Sequence, residues 1–260
     1  MRITKRHEYK YHLQLAQIYQ VRNEILGLDM ELDEYSRDTG YVVRSLYFDT
    51  EDYRICQDNM GGLWGRVKLR IRSYADSPND RLSVELKTKW GSYSIKYSTF
   101  ISYDWYQEFM ATRHFPSNDD PVLNEFERLV HLWMLKPKMI IEYQREGLRA
   151  KSAANLRITF DRNIRCAYAD DLFPKYPMLH KHFDKDCVLE VKYTDTYPQW
   201  LSYCIQKHQL KWNSNSKYVQ SLRLARPELT PRYANQIGLR IGQSYNQSQV
   251  RVGQKPALPY

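Results

Sequence analysis

The chain has 260 residues, with 39 Lys and Arg against 30 Asp and Glu and a formal net charge of +9. This length suffices for one large domain or two small ones around a substantial core, and the basic balance points to an anionic partner: nucleic acid, phosphates or an anionic membrane. No apolar run approaches the roughly 18 residues needed to cross a bilayer. The basic start Met1-Arg2-Ile3-Thr4-Lys5-Arg6 is not followed by the apolar stretch of a secretory leader. A cytoplasmic location is therefore expected. Cys56, Cys166, Cys187 and Cys204 are far apart with no C-x-x-C spacing, which reads as reduced thiols.

In chain order, Lys5 to Leu13 reads as a strand with Glu8 and Lys10 on one side and Tyr9 and Tyr11 on the other. Gln14 to Leu26 follows as a helix stopped by Gly27. Tyr41 to Asp49 is a β-rich run, and a short helix spans Thr50 to Asn59. Two strictly alternating stretches come next, Arg66-Val67-Lys68-Leu69-Arg70-Ile71-Arg72 and Ser83-Val84-Glu85-Leu86-Lys87-Thr88-Lys89. The period of two gives each strand a charged face and an apolar face. Tyr93 to Ile101 forms a return strand carrying Lys96. The period then changes: Asp104 to Thr112 reads as a helix, and Asp120-Pro121 opens a second with an N-cap and a proline at its first position. Strands resume at Lys138 to Gly147, Leu156 to Asp161 and Val188 to Tyr193. Pro198 to about His208 and Ser216 to about Ala225 are helical, and from Pro227 the chain turns polar and aperiodic. The expected organisation is one domain over 1–226 with a mobile tail over 227–260.

Four cations on one strand face repel one another, by on the order of 3 kcal/mol per neighbouring pair at an effective dielectric near 20. Either water or a polyanion must answer them. Glu8-x-Lys10, Glu85-x-Lys87 and Glu190-x-Lys192 repeat one pattern on separate strands, joined by Lys68, Arg70, Arg72, Lys96, Arg145 and Arg157. Each pair alone reads as a solvated sheet face with cross-strand ion pairs. Over so many strands the sheet would curl towards closure. Its apolar sides would then lie under amphipathic helices and its charged sides would line a barrel wide enough for one elongated ligand. The expected fold is α+β, a closed antiparallel eight-stranded barrel with flanking helices.

Glu8-x-Lys10, Leu46-Tyr47-Phe48-Asp49, Lys68-Leu69-Arg70-Ile71-Arg72, Glu85-Leu86-Lys87 and Val188-Leu189-Glu190-Val191-Lys192 together resemble the triphosphate tunnel metalloenzymes. Within them the set is similar to the VTC domain, the polyphosphate polymerase branch. Lys96 shortly after Trp90-x-x-x-Ser94, Glu142-Tyr143-Gln144-Arg145, Arg157-Ile158-Thr159-Phe160-Asp161 and Ser216-Lys217-Tyr218 are its distinguishing features. The resemblance runs from about residue 4 to residue 225 in the family's order. It implies a tunnel that binds the triphosphate of ATP with Mn²⁺ or Mg²⁺ and transfers the terminal phosphoryl group to a growing polyphosphate chain. One departure is visible: Ser214 stands where such polymerases commonly carry a lysine, with Lys211 nearby.

Phosphoryl transfer asks for alignment and charge neutralisation more than for covalent participation. Arg70, Arg72, Arg145 and Arg157 suit bidentate contacts to phosphate oxygens, and Lys10, Lys87, Lys96, Lys192 and Lys217 serve as point charges. Lys68 and Ser216 join them as phosphate contacts. Glu190 is the first choice of metal ligand, followed by Glu85 and Glu8, since Mg²⁺ and Mn²⁺ favour carboxylate and phosphate oxygens. Glu8 and Glu85 have an equal alternative in holding neighbouring lysines. Asp161 is expected to orient Arg157. His180-x-His182-x-Asp184 with Cys187 has metal-ligand spacing but reads as an exposed loop, and the six tryptophans read as packing residues. No phosphate-loop motif or nucleophile elbow is present.

Two other functions remain open on these residues: a tunnel phosphatase hydrolysing triphosphate or nucleoside triphosphates, and a non-catalytic polyphosphate-binding module. A nucleic-acid partner would call for the charged face on an open surface, and is not expected. Association with a membrane protein is compatible with the sequence.

Overall fold

The computed structural model describes residues 2–36, 40–79, 81–90, 93–152, 155–176, 179–181, 186–194, 197–213 and 216–229. Ser214, the His182–Asp184 stretch and the tail beyond residue 229 lie outside the described residues. The chain divides into two compact units, Met1–Ser221 and Leu222–Tyr260.

The elements in order are β1 (Arg2–Gln14), α1 (Leu15–Leu26), β2 (Met30–Leu32), β3 (Tyr41–Asp49), α2 (Arg54–Met60), β4 (Arg66–Ser73), β5 (Leu82–Trp90) and β6 (Tyr93–Ile101). There follow α3 (Tyr103–Thr112), α4 (Pro121–Leu132), β7 (Lys136–Ala150), β8 (Arg157–Tyr168), β9 (His180–Lys181), β10 (Asp186–Tyr193), α5 (Gln199–Lys207) and α6 (Lys217–Ala225). The sheet order is β2-β7-β3-β4-β5-β6-β1-β10-β8-β9, with β7 also paired to β8. That last pairing joins the two ends of an eight-stranded run, so β7, β3, β4, β5, β6, β1, β10 and β8 form a closed antiparallel barrel. The two-residue β9 and three-residue β2 are short additions on its rim.

Local chemistry explains the element ends. Ser102 Oγ accepts from the Trp105 N–H at 3.3 Å to start α3, and Asp120 accepts from Val122 N–H at 2.8 Å to start α4 with Pro121 at its first position. The Asp49 carboxylate, at the end of β3, accepts the Ile55 and Cys56 N–H groups at 2.8 and 3.0 Å and so satisfies the open end of α2.

The alternating strands bury their apolar sides outward. Leu69 and Ile71 of β4 and Val84 and Leu86 of β5 pack with Phe109, Leu123 and Phe126 of α3 and α4 in one cluster. Tyr11 and Leu13 of β1 and Leu189 and Val191 of β10 pack with Val21, Ile25 and Leu201 of α1 and α5 in another. Each such aliphatic side chain contributes about 1.5–3 kcal/mol on burial, which holds the charged sides inward. All four cysteines are buried. Trp105, Trp133 and Trp200 pack against the clusters, whereas Trp64, Trp90 and Trp212 are more than half exposed. These three lie outside the two apolar clusters, Trp64 in a turn, Trp90 at the end of β5 and Trp212 in an isolated bridge to Tyr11 of β1. No helix among the described residues is long and apolar enough to cross a membrane.

Candidate functional site: the barrel interior

All eight barrel strands send side chains into one interior cavity. Thr4, Arg6, Glu8 and Lys10 come from β1, Tyr47 from β3, Lys68, Arg70 and Arg72 from β4, and Lys87 from β5. Ser94 and Lys96 come from β6, Tyr143 and Arg145 from β7, Arg157 from β8, and Glu190 and Lys192 from β10. Ser216 and Lys217, at the start of α6, complete the lining with Tyr74. A second cavity shares Glu8, Lys10, Lys68, Lys87, Ser94 and Ser216 and continues outward past Arg66, Lys89, Asn59 and Trp212. Every residue assigned to phosphate from the sequence therefore faces the interior, and Arg70, Lys87, Arg145 and Glu190 share a single space.

Among the described residues, eleven lysines and arginines line the first cavity against two carboxylates, Glu8 and Glu190. Two further carboxylates, Glu85 and Asp161, are fully buried and do not line it. Glu85 lies among Arg70 (2.6 Å), Lys96 (3.3 Å) and Arg72 (3.9 Å). Burial pushes its carboxyl up, but Arg70, Arg72 and Lys96 override that and hold it well below the usual carboxylate range. Arg70 also donates to the Tyr47 hydroxyl at 2.8 Å, and Arg72 to Ser45 Oγ at 3.0 Å and Tyr143 at 3.1 Å. Both guanidiniums are thereby fixed in direction before any ligand arrives. Of the two roles open for Glu85, holding cations is the one this geometry supplies.

Asp161 accepts both arms of an Arg145 fork, at 2.6 and 2.7 Å, and pairs with Lys217 at 2.6 Å. The expectation that it orients Arg157 is corrected here. Arg157 and Asp161 share a face of β8 but stand two pleats apart, whereas Asp161 lies directly across from Arg145 in the β7–β8 register. Arg157 instead donates to Asp33 at 2.6 Å and to the Tyr41 hydroxyl at 3.1 Å. Asp33 reaches it by passing over Gly147, where an added Cβ would lie 2.0 Å from the Asp33 carboxylate.

Glu190 and Glu8 are the carboxylates that open onto the cavity. Glu190 contacts Lys192 (2.6 Å), Lys217 (2.8 Å), Arg145 (3.3 Å) and Lys10 (3.6 Å). Glu8 contacts Lys87 (2.5 Å) and Lys10 (3.5 Å). Burial raises both carboxyls, but Lys192 with Lys217 around Glu190, and Lys87 with Lys10 around Glu8, hold them well below the ordinary range. Lys10 bridges the two. A pair of ionised carboxylates facing a shared cavity, with room for phosphate oxygens, fits Mg²⁺ or Mn²⁺, which take one or two carboxylates plus substrate oxygens.

The lysines carry the cost of enclosure. Burial pushes Lys68 and Lys192 well below their ordinary range, with like charges adding to it at Lys68 and Glu190 opposing it at Lys192. Burial also takes Lys87 down to about 8 despite its Glu8 partner. Lys68 donates to Ser216 Oγ at 2.9 Å. Among the described residues, the lining groups Ser94 Oγ and Arg157 Nε are buried with no hydrogen-bond partner, which is the state expected of donors awaiting a ligand.

Sequence reasoning did not single out Arg6, Tyr47, Tyr74, Tyr143, Ser94 or Asp33 for the site. Arg6 is two residues before Glu8, so the strand period could have found it. Tyr143 stands two before Arg145 in the same way. Asp33 sits in a loop and carries no such signal.

A family model described as VTC domain matches residues 5–226. Among solved structures, the chain is similar to a candidate adenylate cyclase from Bacillus halodurans at 14% identity and a TM-score of 0.53, over 85% of this chain and 98% of that one. It is also similar to a candidate adenylate cyclase from Vibrio parahaemolyticus (12%, TM-score 0.45, 83% and 98% covered). A third is the Mimivirus capping enzyme triphosphatase (10%, TM-score 0.36, 79% and 89% covered). At such identity the Bacillus likeness shows the fold alone. No curated protein sequence matches the chain.

Proposed function

We propose, from the premise that the chain belongs to the VTC domain family, that it is an ATP-dependent polyphosphate polymerase. The observation that carries this reading is the imbalance on the barrel lining, eleven cations against two carboxylates among the described residues, inside a closed wall. A compact anion would satisfy only a few of these groups. An extended chain of phosphates, each bearing about one negative charge, satisfies them in sequence.

In this reading the interior residues bind and align two anions end to end. Arg70, Arg72 and Arg145, fixed by Glu85, Tyr47, Tyr143 and Asp161, clamp non-bridging oxygens with forked contacts. Lys10, Lys87, Lys96, Lys192 and Lys217 neutralise the charge that spreads over the transferring group. Arg157 and Ser94 contribute their unpartnered Nε and Oγ, and Lys68 with Ser216 holds phosphate towards the outer cavity. Glu190 and Glu8 would hold a divalent cation, Mn²⁺ or Mg²⁺, which would neutralise β- and γ-phosphate oxygens. A terminal phosphate oxygen of the acceptor forms its bond to the γ-phosphorus as the bond to the β,γ-bridging oxygen breaks, and ADP leaves. No side chain need exchange a proton in that step. A cytoplasmic site of action would give access to ATP.

The test is incubation of the protein with ATP and Mn²⁺ followed by gel sizing of phosphate polymers. Long polyphosphate is expected, and its loss in Lys87→Ala and Arg70→Ala. Release of orthophosphate without chain growth would assign a tunnel triphosphatase instead. Tight polyphosphate binding without turnover would assign a binding module.

A further inference from the structure

Outside the barrel, α1 and α5 share an apolar cluster with the outward side chains of β1 and β10. Beside that contact three residues of metal-binding type meet. Cys204 lies on α5 and His208 is its C-cap, four positions on, which places both on one helix face. Glu24 faces them from the last turn of α1. His208 Nε2 and Glu24 Oε2 are 2.7 Å apart, and one donor atom from each of the three lies within 4.8 Å of the others. Cys204 is fully buried, while the His208 and Glu24 side chains keep 12% and 21% of their exposure. One side of the trio is dry and the other meets solvent.

We propose that Glu24, Cys204 and His208 form a Zn²⁺-class metal site that clips α1 to α5. A thiolate, an imidazole and a carboxylate are the donor types of zinc centres, and three protein ligands leave a fourth position for water. Hard Mg²⁺ and Mn²⁺ prefer all-oxygen sites, so this site and the barrel interior select different metals. Metal–ligand bonds of about 2.0–2.3 Å set donor atoms about 3.5 Å apart on a tetrahedron, so the hydrogen-bonded His208–Glu24 pair at 2.7 Å has to open by a little under an ångström, and the thiol, within 4.8 Å of both, has at most about an ångström to close. Burial and the Glu24 carboxylate push the Cys204 thiol up to about 11, so the thiol keeps its proton until a metal displaces it. Lys207, 2.9 Å from Glu24 and half exposed, competes for the carboxylate but is free to swing into water. Gln17 Nε2 donates to the His208 carbonyl at 3.2 Å and steadies the helix end. The inference does not depend on the activity proposed for the barrel.

The test titrates reduced, metal-stripped full-length protein with Co²⁺ in excess Mg²⁺ and reads the near-ultraviolet thiolate-to-cobalt charge-transfer band. The expected result is a band that saturates at one equivalent, is abolished by Zn²⁺ and is absent in Cys204→Ser. His208→Gln keeps the thiol and the core intact, so it serves even where Cys204→Ser fails to fold. It should weaken Co²⁺ binding at least tenfold. Absence of the band in the wild type, its persistence in Cys204→Ser, or unchanged affinity in His208→Gln would each overturn the site.

Discussion

Glu85 and Glu190 occupy the same pattern, a glutamate two residues before a lysine on an alternating strand, and meet opposite circumstances. Glu85 has no exposure and lies among Arg70, Arg72 and Lys96. Glu190 opens onto the cavity, and three of its four cations are shared with a second carboxylate: Arg145 and Lys217 also hold Asp161, and Lys10 also holds Glu8. A carboxylate that no water can replace is committed to building the wall. A carboxylate on the cavity, whose cations are mostly shared with a second carboxylate, can give up contacts to a ligand. Depth behind the lining, not sequence context, separates the two.

The largest effect that would test this contrast is on stability. Glu85→Gln strips the counter-charge from three buried or half-buried cations, and breaking such a cluster costs roughly 3–5 kcal/mol. A large fall in melting temperature is expected, well beyond that for Glu190→Gln. The reverse order would exchange the roles of the two glutamates. Turnover sharpens the same comparison. Glu190→Gln should lower metal-dependent activity on the order of 10²-fold while the protein stays folded, read from initial rates across a Mn²⁺ titration.

Protonation gives a third, smaller effect. Lys87 stands at about 8 in the folded protein against 10.5 as its reference value. Its folded value is lowered, so the unfolded chain binds the extra proton between these values and ligand-free stability rises with pH across that window. A bound polyanion restores the charged form. Tripolyphosphate binding should therefore take up protons near pH 8 and weaken above it, measured by calorimetry in buffers of different ionisation enthalpy. Lys87→Met should reduce the uptake. The smallest effect concerns the Arg157 end. Gly147→Ala forces Asp33 away from Arg157 and should cost about 1–3 kcal/mol, followed by chemical denaturation. Unchanged stability would mean that the Asp33 loop yields freely.

The barrel and most of its lining were legible because strand period is a strong signal. Val67, Leu69 and Ile71 had to face away from Lys68, Arg70 and Arg72, and three Glu-x-Lys strands implied a shared charged interior. The register between strands was not legible. It is set by turns and bulges, such as the shift between Glu142 and Gln144 in β7, and it decides that Asp161 meets Arg145 and not Arg157. Loop contributions such as Asp33 were hidden for a related reason: the chain brings that residue in from 124 positions away, with no local pattern to mark it.

The β7–β8 pairing leaves the cylinder without a seam. A ligand in its interior cannot slip out sideways, as it could from a groove, and must travel along the axis. On the proposed function, a linear phosphate polymer would be drawn along that axis, with an escape time that grows with the length still inside. A ring such as trimetaphosphate offers no free end to introduce, so it should compete poorly with a linear triphosphate of similar charge.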